Sequence, residues 1–419
     1  MIELKLKRVV VPTFFATLII FFASPSAAQV DTLRVATYNL LNFPSSDGLA
    51  RIPYFRTAVH SLQPDILVVQ ELESDIARVT FLNEVMNHGQ TLYSAAPFVD
   101  GPDTDSGLFF DNNKIQFKGQ NVIPTTLRNI NGYELSAFGV DFKIHSVHLK
   151  AGSFPSDASR RFLEATVLRT ALNDLPANFN FIVVGDFNFQ SSNEDAFVRL
   201  TEDESDNDGK VFDPINQLGE WNENIDFRLI HTQSTRTTSF GDGATGGLDD
   251  RFDLILVSQS VLAEGGMAIL PASYTAFGND GEHFNQAIND GTNLAVPDSV
   301  ADALHLASDH LPVVANFVFG AITAVEAPPT LPEKFILYQN YPNPFNPTTT
   351  IKFYVPATAP VSLKVYDLVG REVAVLVDEV KPAGEFAIDF DAAALASGIY
   401  FYVLKTSKFE TVRKMIFLR

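Results

Sequence analysis

Apolar residues along this chain gather into short dense runs, each closing on a polar side chain. Leu33-Arg-Val-Ala-Thr-Tyr-Asn39 alternates and is rich in β-formers, which predicts an opening strand ending at Asn39. Ile52, Phe55, Val59 and Leu62 then recur at helical spacing until Gln63-Pro64 stops the helix. Asp65-Ile-Leu-Val-Val-Gln-Glu71 and Phe181-Ile-Val-Val-Gly-Asp-Phe-Asn-Phe189 are continuous apolar runs and read as buried strands. Further strands are expected at 106–111, 142–148 and 251–257, and after Ser308-Asp309-His310-Leu-Pro. Ser156 is placed to cap a helix whose Phe162, Ala165, Leu168, Leu172 and Leu175 form a core stripe.

The ends of these runs carry the candidate chemistry. Asp186 and Asn188, two apart on an extended segment, point to the same side and can meet one ligand. An Asx turn closing a core strand gives the same pattern. Glu71 ends an apolar run, where a carboxylate is costly unless solvated, paired or bound to a metal. His145 and His148 are three apart on a strand and so face opposite sides; His148 is the one nearer the strand end and the cleft. Asp253 opens its strand, and Asp309-His310 sets a carboxylate beside an imidazole. Glu204-Ser-Asp-Asn-Asp-Gly209 reads as a solvated loop or as half a calcium loop lacking the glutamate at its twelfth position, Ile215. The irregular stretch 274–304, with His283 and the following His305, is a rim or a lid.

Length and composition change this picture in three ways. At 419 residues the chain is too long for one compact domain. Lys5, Lys7 and Arg8 precede an apolar run and Ser26-Ala-Ala28, the layout of a secretory signal at 1–28. A membrane-anchored N-terminus is the alternative, but the run is short and Pro12 interrupts it, whereas a comfortable span needs about 20 apolar residues. No later segment is long and apolar enough to span a bilayer, so a soluble or surface-attached mature protein is expected. The absence of cysteine excludes thiolate catalysis and Cys-ligated zinc, and leaves an exported chain to rest on its core.

The formal charge of −20 is unevenly spread, with 17 Lys and Arg against 40 Asp and Glu between residues 29 and 332. Such a surface gives no unspecific grip on nucleic acid. A phosphodiester substrate stays open, because a divalent ion held by carboxylates supplies local positive charge. Beyond a proline-rich linker at 320–334, runs at 350–355, 361–366, 372–377, 385–390, 399–404 and 412–418 predict a small all-β sandwich over 335–419.

Strands ending in Asn39, Glu71, His148, Asp186 with Asn188, Asp253 and Asp309-His310, in that order, resemble the endonuclease/exonuclease/phosphatase superfamily. The resemblance covers roughly 31–318 and implies a catalytic domain at 29–319 with a four-layer α/β sandwich of two packed mixed sheets. It implies Mg²⁺, with Mn²⁺ or Ca²⁺ able to substitute, held by Glu71 with Asn39 and Asp309 beside it. Asp186 would orient or deprotonate the attacking water, and Asn188 would hydrogen-bond the phosphate or the nucleophile. His310, oriented by Asp253, would stabilise charge growing on phosphorus, and His148 would contact the phosphate or the leaving oxygen. These parts match what phosphoester hydrolysis requires. The acidic Ser-Glu-Pro element of pancreatic-type deoxyribonucleases is missing before Ser106, as are the basic loops of abasic-site enzymes.

The tail, with Leu337-Tyr-Gln-Asn-Tyr-Pro-Asn-Pro-Phe-Asn-Pro347, Ser397-Gly-Ile-Tyr400 and Lys414-Met-Ile-Phe-Leu-Arg419, resembles a type IX secretion sorting domain. This implies the type IX machinery as a partner and a secreted or cell-surface location. The resulting expectation is a monomeric, secreted phosphodiesterase hydrolysing extracellular nucleic acid. The alternatives are a phosphatase or phospholipase-type enzyme, and a catalytically silent surface-displayed binding protein.

Overall fold

The structure, a computed structural model, describes residues 31–45, 47–238, 242–262 and 266–320. In the tail it describes 336–337, 340, 343, 345–355, 359–367, 371–381, 384–406 and 410–417. The expected leader and, apart from Gly320, the expected linker lie outside these residues.

One six-stranded sheet has the order β11 (Met267–Ala276), β12 (Val313–Phe319), β1 (Asp31–Phe43), β2 (Ile66–Leu72), β4 (Asp105–Asp111), β3 (Tyr93–Ala95). The other runs β5 (Ile115–Ile123), β6 (Ile130–Ala137), β7 (Val140–His148), β8 (Phe181–Asp186), β10 (Asp253–Ser258), β9 (Val211–Phe212). The β1–β2 and β7–β8 pairs are parallel and the other neighbours antiparallel, so both sheets are mixed.

Alternation along the central strands explains their unbroken apolar sequence. Val35, Ile66, Val68, Ile144, Ile182, Val184, Ile255 and Val257 fill the space between the sheets. Their neighbours Leu67 and Val69 pack outward with Phe55 of α1 (Gly48–Leu62) and Phe81 of α2 (Asp75–Phe81). On the far side, Val183, Leu254 and Leu256 pack with Leu168 and Leu172 of α3 (Pro155–Asn173) and Phe197 of α4 (Asp195–Thr201). A short α5 (Gln259–Leu262) follows β10, and α6 (Asp298–Ala307) lies against α1. The architecture is the expected four-layer α/β sandwich, with both faces of the central strands buried.

Three local expectations are corrected. Ser156 lies inside the first turn of α3; the chain enters at Phe154, whose N–H donates to the Asp157 carboxylate at 3.3 Å. Phe162 is exposed, so the core stripe of α3 is Ala165, Leu168 and Leu172. The stretch 274–304 is less irregular than expected, since Tyr274 belongs to β11 and Leu304 to α6.

In the tail, β13 (Ile336–Leu337), β14 (Thr348–Val355) and β17 (Gly384–Asp391) form one sheet. The other comprises β15 (Ala359–Tyr366), β16 (Glu372–Lys381), β18 (Gly398–Lys405) and β19 (Glu410–Phe417). Between them lie Ile351, Phe353, Leu363, Val365, Tyr402, Leu404, Met415 and Phe417. Among the described residues no helix is long and apolar enough to cross a membrane.

Gly185 shows how tightly β7 and β8 meet. Its φ is +136°, and a Cβ there would stand 2.0 Å from the Val147 carbonyl oxygen. Gly185→Ala should therefore lower stability by about 2–4 kcal/mol, read from the urea midpoint, because rigid backbone has to move. An unchanged midpoint would contradict this account.

Candidate active site

The inner faces of the two sheets change character toward one end. Below lie valine, leucine and isoleucine; next comes a polar layer in which Thr37 Oγ1 donates to Gln70 Oε1 (3.2 Å) and Gln70 Nε2 to Ser146 Oγ (3.2 Å). One step further along the same faces stand Asn39, His148, Asp186 and Asp253. The register is direct: His148 pairs with Asp186 across β7–β8, and Asp186 with Asp253 across β8–β10, so the three form a lateral row. His145 falls on the outer face with its ring edge toward Phe181, as the three-residue spacing predicted.

Two residues break alternation to join this row. Glu71 has φ +63°, which turns a side chain otherwise destined for the outer face into the mouth between the sheets. Asn188 has φ +54° beyond the end of β8, and its N–H donates to Asp186 Oδ1 at 3.1 Å. The Asx-turn reading of Asp186 and Asn188 is thus realised, and the turn, rather than an extended strand, brings both residues to the same cleft. Asn188 Nδ2 also donates to Leu149 O (3.2 Å), leaving the second amide N–H for the cleft.

Asn39 ties the sheets together. Its Nδ2 donates to Glu71 Oε1 and to Asp186 Oδ2, both at 3.0 Å, while its Oδ1 accepts from Leu41 N at 3.0 Å. Asn39 thus stands beside Glu71, its nitrogen bracing two carboxylates while its oxygen accepts one backbone N–H. Glu71 Oε2 accepts from Asn42 N (2.7 Å).

The Ser308-Asp309-His310 segment enters from the far side. Ser308 Oγ donates to Asn39 O (2.7 Å) and accepts from His310 N (3.2 Å). His310 Nδ1 meets Asp253 Oδ2 at 2.7 Å, and Nε2 lies 3.8 Å from Asp186 Oδ2. His148 Nε2 is 3.6 Å from Asp186 Oδ2 and 3.7 Å from Glu71 Oε1. Of the residues given site roles from the sequence, Glu71, His148, Asp186, Asn188, Asp309 and His310 line one cleft of about 620 Å³, and Asn39 and Asp253 stand behind it holding its lining.

Charge is severe here. Burial, with Asp253 and Glu71 nearby, pushes the Asp186 pKa up to about 7 against the pull of His310 and Asn39. Burial likewise raises that of Glu71 despite the Asn39 hydrogen bond. Burial alone would discharge His310, but Asp253, Asp309 and Asp186 outweigh it and hold its pKa well above 6.5. His148, buried and close to Arg128 and His310, is pushed well below 6.5 and stays neutral. The Gln233 amide nitrogen lies 2.6 Å from His310 Nε2.

The donors suit a hard divalent cation. Asp309 Oδ2 accepts from Ala244 N (2.6 Å), but its buried Oδ1 has no hydrogen-bond partner, and its charge helps to raise the Glu71 pKa. Among the described residues no three His, Asp or Glu side chains form a cage. Two carboxylates completed by water and substrate oxygens are the usual holding of Mg²⁺.

Sequence reasoning missed several supports. Arg51 is buried and donates to Leu40 O (2.9 Å), Leu41 O (2.6 Å) and Ala307 O (2.6 Å), fixing the β1 end against α6. Gln233 and Ser308 carried no signal beyond being polar near a motif. The 277–297 stretch is pinned: His283 Nδ1 contacts Asp280 Oδ1 (2.8 Å), and Leu248 N donates to Gln286 O (3.2 Å), so it buttresses the loop that carries Gln233. The acidic loop closes on the protein's own cations, with Arg169 Nη2 on Asp206 O (3.3 Å), Glu204 on Arg199 and Asp203 on Lys210 (2.7 Å).

Comparison with known proteins gives two family matches. The Endonuclease/Exonuclease/phosphatase family model matches residues 36–310, and the Secretion system C-terminal sorting domain model matches 339–418, which supports a secreted or cell-surface location. No curated protein sequence matches. Among solved structures, an endonuclease/exonuclease/phosphatase family protein from Bacteroides thetaiotaomicron is 18% identical, covering 70% of this chain and 99% of its own, with a TM-score of 0.44. D. rerio TDP2 complexed with single strand DNA product is 16% identical (68% and 98% covered, TM-score 0.43). The human Nocturnin catalytic domain with bound sulfate anion is 17% identical (70% and 98%, TM-score 0.43).

The His310–Asp253 pair gives a pH prediction. The folded-state pKa of His310 lies above the unfolded value, so its stabilisation is complete below about pH 6.5 and is lost as pH rises through the raised value. By ¹⁵N NMR the imidazole should remain charged above the pH at which an ordinary histidine loses its proton. Asp253→Asn should abolish this and cost about 3 kcal/mol of stability. A neutral His310 ring near pH 7 in the wild type would sink this assignment.

Proposed function

Because the chain belongs to the endonuclease/exonuclease/phosphatase family, we propose that it is a secreted, divalent-metal-dependent phosphodiesterase hydrolysing nucleic acid outside the cell. The observation that carries the reading is Asp186, a carboxylate with a pKa of about 7, braced by Asn39 and flanked by His148 and His310. A base is most useful when its pKa sits near the working pH. Asp186 takes the proton of the attacking water, oriented with the help of Asn188. His310, fixed by Asp253, donates Nε2–H to a phosphoryl oxygen as negative charge gathers there. His148, neutral, contacts the phosphate or the leaving oxygen. Glu71 and Asp309 would hold Mg²⁺, with Mn²⁺ or Ca²⁺ as substitutes, and the ion would neutralise phosphate charge and stabilise the leaving alkoxide. The sorting tail supports export through the type IX machinery.

A second reading, a small or lipid phosphoester as substrate, draws support from the cleft lining, which among the described residues contains no lysine or arginine while Glu223 and Asp250 stand on its wall. A long polyanion gains no electrostatic grip from such a wall.

Bis(p-nitrophenyl) phosphate should be turned over with Mg²⁺, and Asp186→Ala or His310→Ala should lower kcat about 10²–10⁴-fold. Equal inertness of wild type and variants with Mg²⁺, Mn²⁺ and Ca²⁺ would favour a silent binding protein. Saturating Mg²⁺ should raise the melting temperature by several degrees, roughly 2–3 kcal/mol at a hundred times Kd, and Glu71→Gln or Asp309→Asn should remove that rise. Plasmid DNA or RNA should be digested; turnover confined to sphingomyelin or inositol phosphates would transfer the assignment to the second reading.

A further inference from the structure

The cleft is larger than the phosphate chemistry at its floor requires. At about 620 Å³ it has the size of pockets that enclose a drug-sized molecule, more than one phosphate group fills. Beyond the catalytic groups, one wall is made by Gln190, Asn222, Glu223, Asp250 and Phe252, whereas the stretch 151–153 contributes nothing larger than serine. Separate segments build that wall and lock one another. Gln190 O accepts from Trp221 N (3.2 Å) and Asn222 N (3.3 Å), Glu223 N donates to Asp249 O (2.9 Å), and Phe187 N donates to Phe252 O (2.8 Å). The buried Trp221 ring is covered by the Arg251 guanidinium at 4.9 Å, which is itself paired with Asp213 at 2.8 Å. Asn222 Nδ2 donates to Asp250 Oδ1 at 2.7 Å and fixes that carboxylate. The wall is therefore preorganised, and it presents two carboxylates and two amides around one aromatic ring. Burial, with Glu223 nearby, raises the Asp250 pKa against the Asn222 hydrogen bond, so these acids are short of donors. The floor of the same cleft is short of a partner too: Asp309, only 4% exposed, keeps Oδ1 without a hydrogen bond.

We propose that this wall is a base-selecting subsite: Glu223 and Asp250 accept the N–H groups on the Watson–Crick edge of the nucleobase beside the scissile phosphate, Phe252 lies against its ring, and guanine is preferred. The inference rests on the nucleic-acid reading of the cleft, but it concerns binding and is measurable without turnover. Its logic is the direction of the hydrogen bonds. An ionised carboxylate only accepts, and guanine sets two donors, N1–H and N2–H, side by side. Adenine and cytosine put a ring acceptor next to their amino group, and uracil and thymine flank one N–H with two carbonyl oxygens, so lone pairs would face the acids. Unpaired bases are commonly read through that edge together with stacking on an aromatic side chain. The same acids turn away a second phosphate, so the wall sorts nucleosides and leaves the backbone to the floor of the cleft.

The test measures binding of nucleoside monophosphates to the full chain in Mg²⁺ by calorimetry. Guanosine and uridine monophosphates, each as the 3′ and the 5′ isomer, are compared with phosphocholine. The wild type should bind the better guanosine isomer at least about 10-fold more tightly than either uridine isomer, the worth of one charge-assisted hydrogen bond. Glu223→Gln combined with Asp250→Asn, with the melting temperature as a control for folding, should bring the two bases within about 3-fold of each other, and each single variant should fall between. Removing negative charge strengthens the binding of both nucleotides alike, so their ratio, and neither affinity alone, reports the base contact. Equal binding of the two bases by the wild type, or an unchanged ratio in the variants, would overturn the proposal. So would phosphocholine binding more tightly than guanosine monophosphate, which would put a cationic alcohol at the wall. If guanosine is preferred while no diester is hydrolysed, the subsite stands and the phosphodiesterase reading falls; if diesters are cleaved and no base is preferred, the reading stands and the subsite falls.

Discussion

The constraint behind this structure is the burial of four carboxylates, Glu71, Asp186, Asp253 and Asp309, at the mouth between two sheets. Isolated buried charge of that density would unfold a domain, so each acid is answered. Asn39 spreads its amide across Glu71 and Asp186, His310 stands against Asp253, and backbone N–H groups of Asn42, Asn188 and Ala244 each reach one further oxygen, of Glu71, Asp186 and Asp309. The account does not close within the protein: Asp253 Oδ1 and Asp309 Oδ1 are left unpartnered and Asp186 retains a pKa of about 7. A site so poised has room for one more positive charge and one more proton, which the metal-assisted hydrolysis proposed above would bring and take.

The fold delivers this mouth by ordinary means. Because both faces of the central strands are buried, alternation is enforced along β1, β2, β7, β8 and β10, and the inner positions pass from apolar core through the Thr37–Gln70–Ser146 layer to the acids. Exceptions to alternation occur where function demands them. Glu71 and Asn188 adopt left-handed backbone, a strain that surrounding hydrogen bonds hold in place.

What could be read from the sequence follows from this. The strands were visible because two-sided burial writes continuous runs such as Ile66-Leu-Val-Val69, and the site was visible because each run stops on a polar residue of particular type. The conformations that unite them were not. Nothing in Val69-Gln-Glu71 announces that the glutamate turns inward, and Asp186 with Asn188 fitted a strand and a turn equally well until the positive φ at Asn188 decided it. The direction of the Asn39 amide was likewise hidden, since an asparagine beside two acids serves as brace or ligand depending on which end a backbone N–H captures. Second-rank supports such as Ser308 and Gln233 depend on segments brought together from distant parts of the chain, which local pattern does not encode.

The placement of positive charge has a structural cause as well. Five arginines, Arg51, Arg161, Arg169, Arg236 and Arg251, are drawn into the interior of the catalytic region, and four of them hold loops that a cysteine-free chain cannot tie with disulfides. Arg51 gathers the carbonyls behind β1; Arg161 takes Lys150 O, Gly152 O and the Glu194 carboxylate. Arg169 organises the acidic loop through Leu200 O and Asp206 O, and Arg251 pairs with Asp213 at 2.8 Å. Guanidinium suits this work because its fixed fork reaches several carbonyls at once. The consequence is electrostatic: these guanidinium groups answer buried carbonyls and acids rather than the cleft, whose described lining carries no lysine or arginine. In the proposed reaction, affinity for phosphate would then come from the few groups at the floor of the cleft, Glu71, Asp309 and His310.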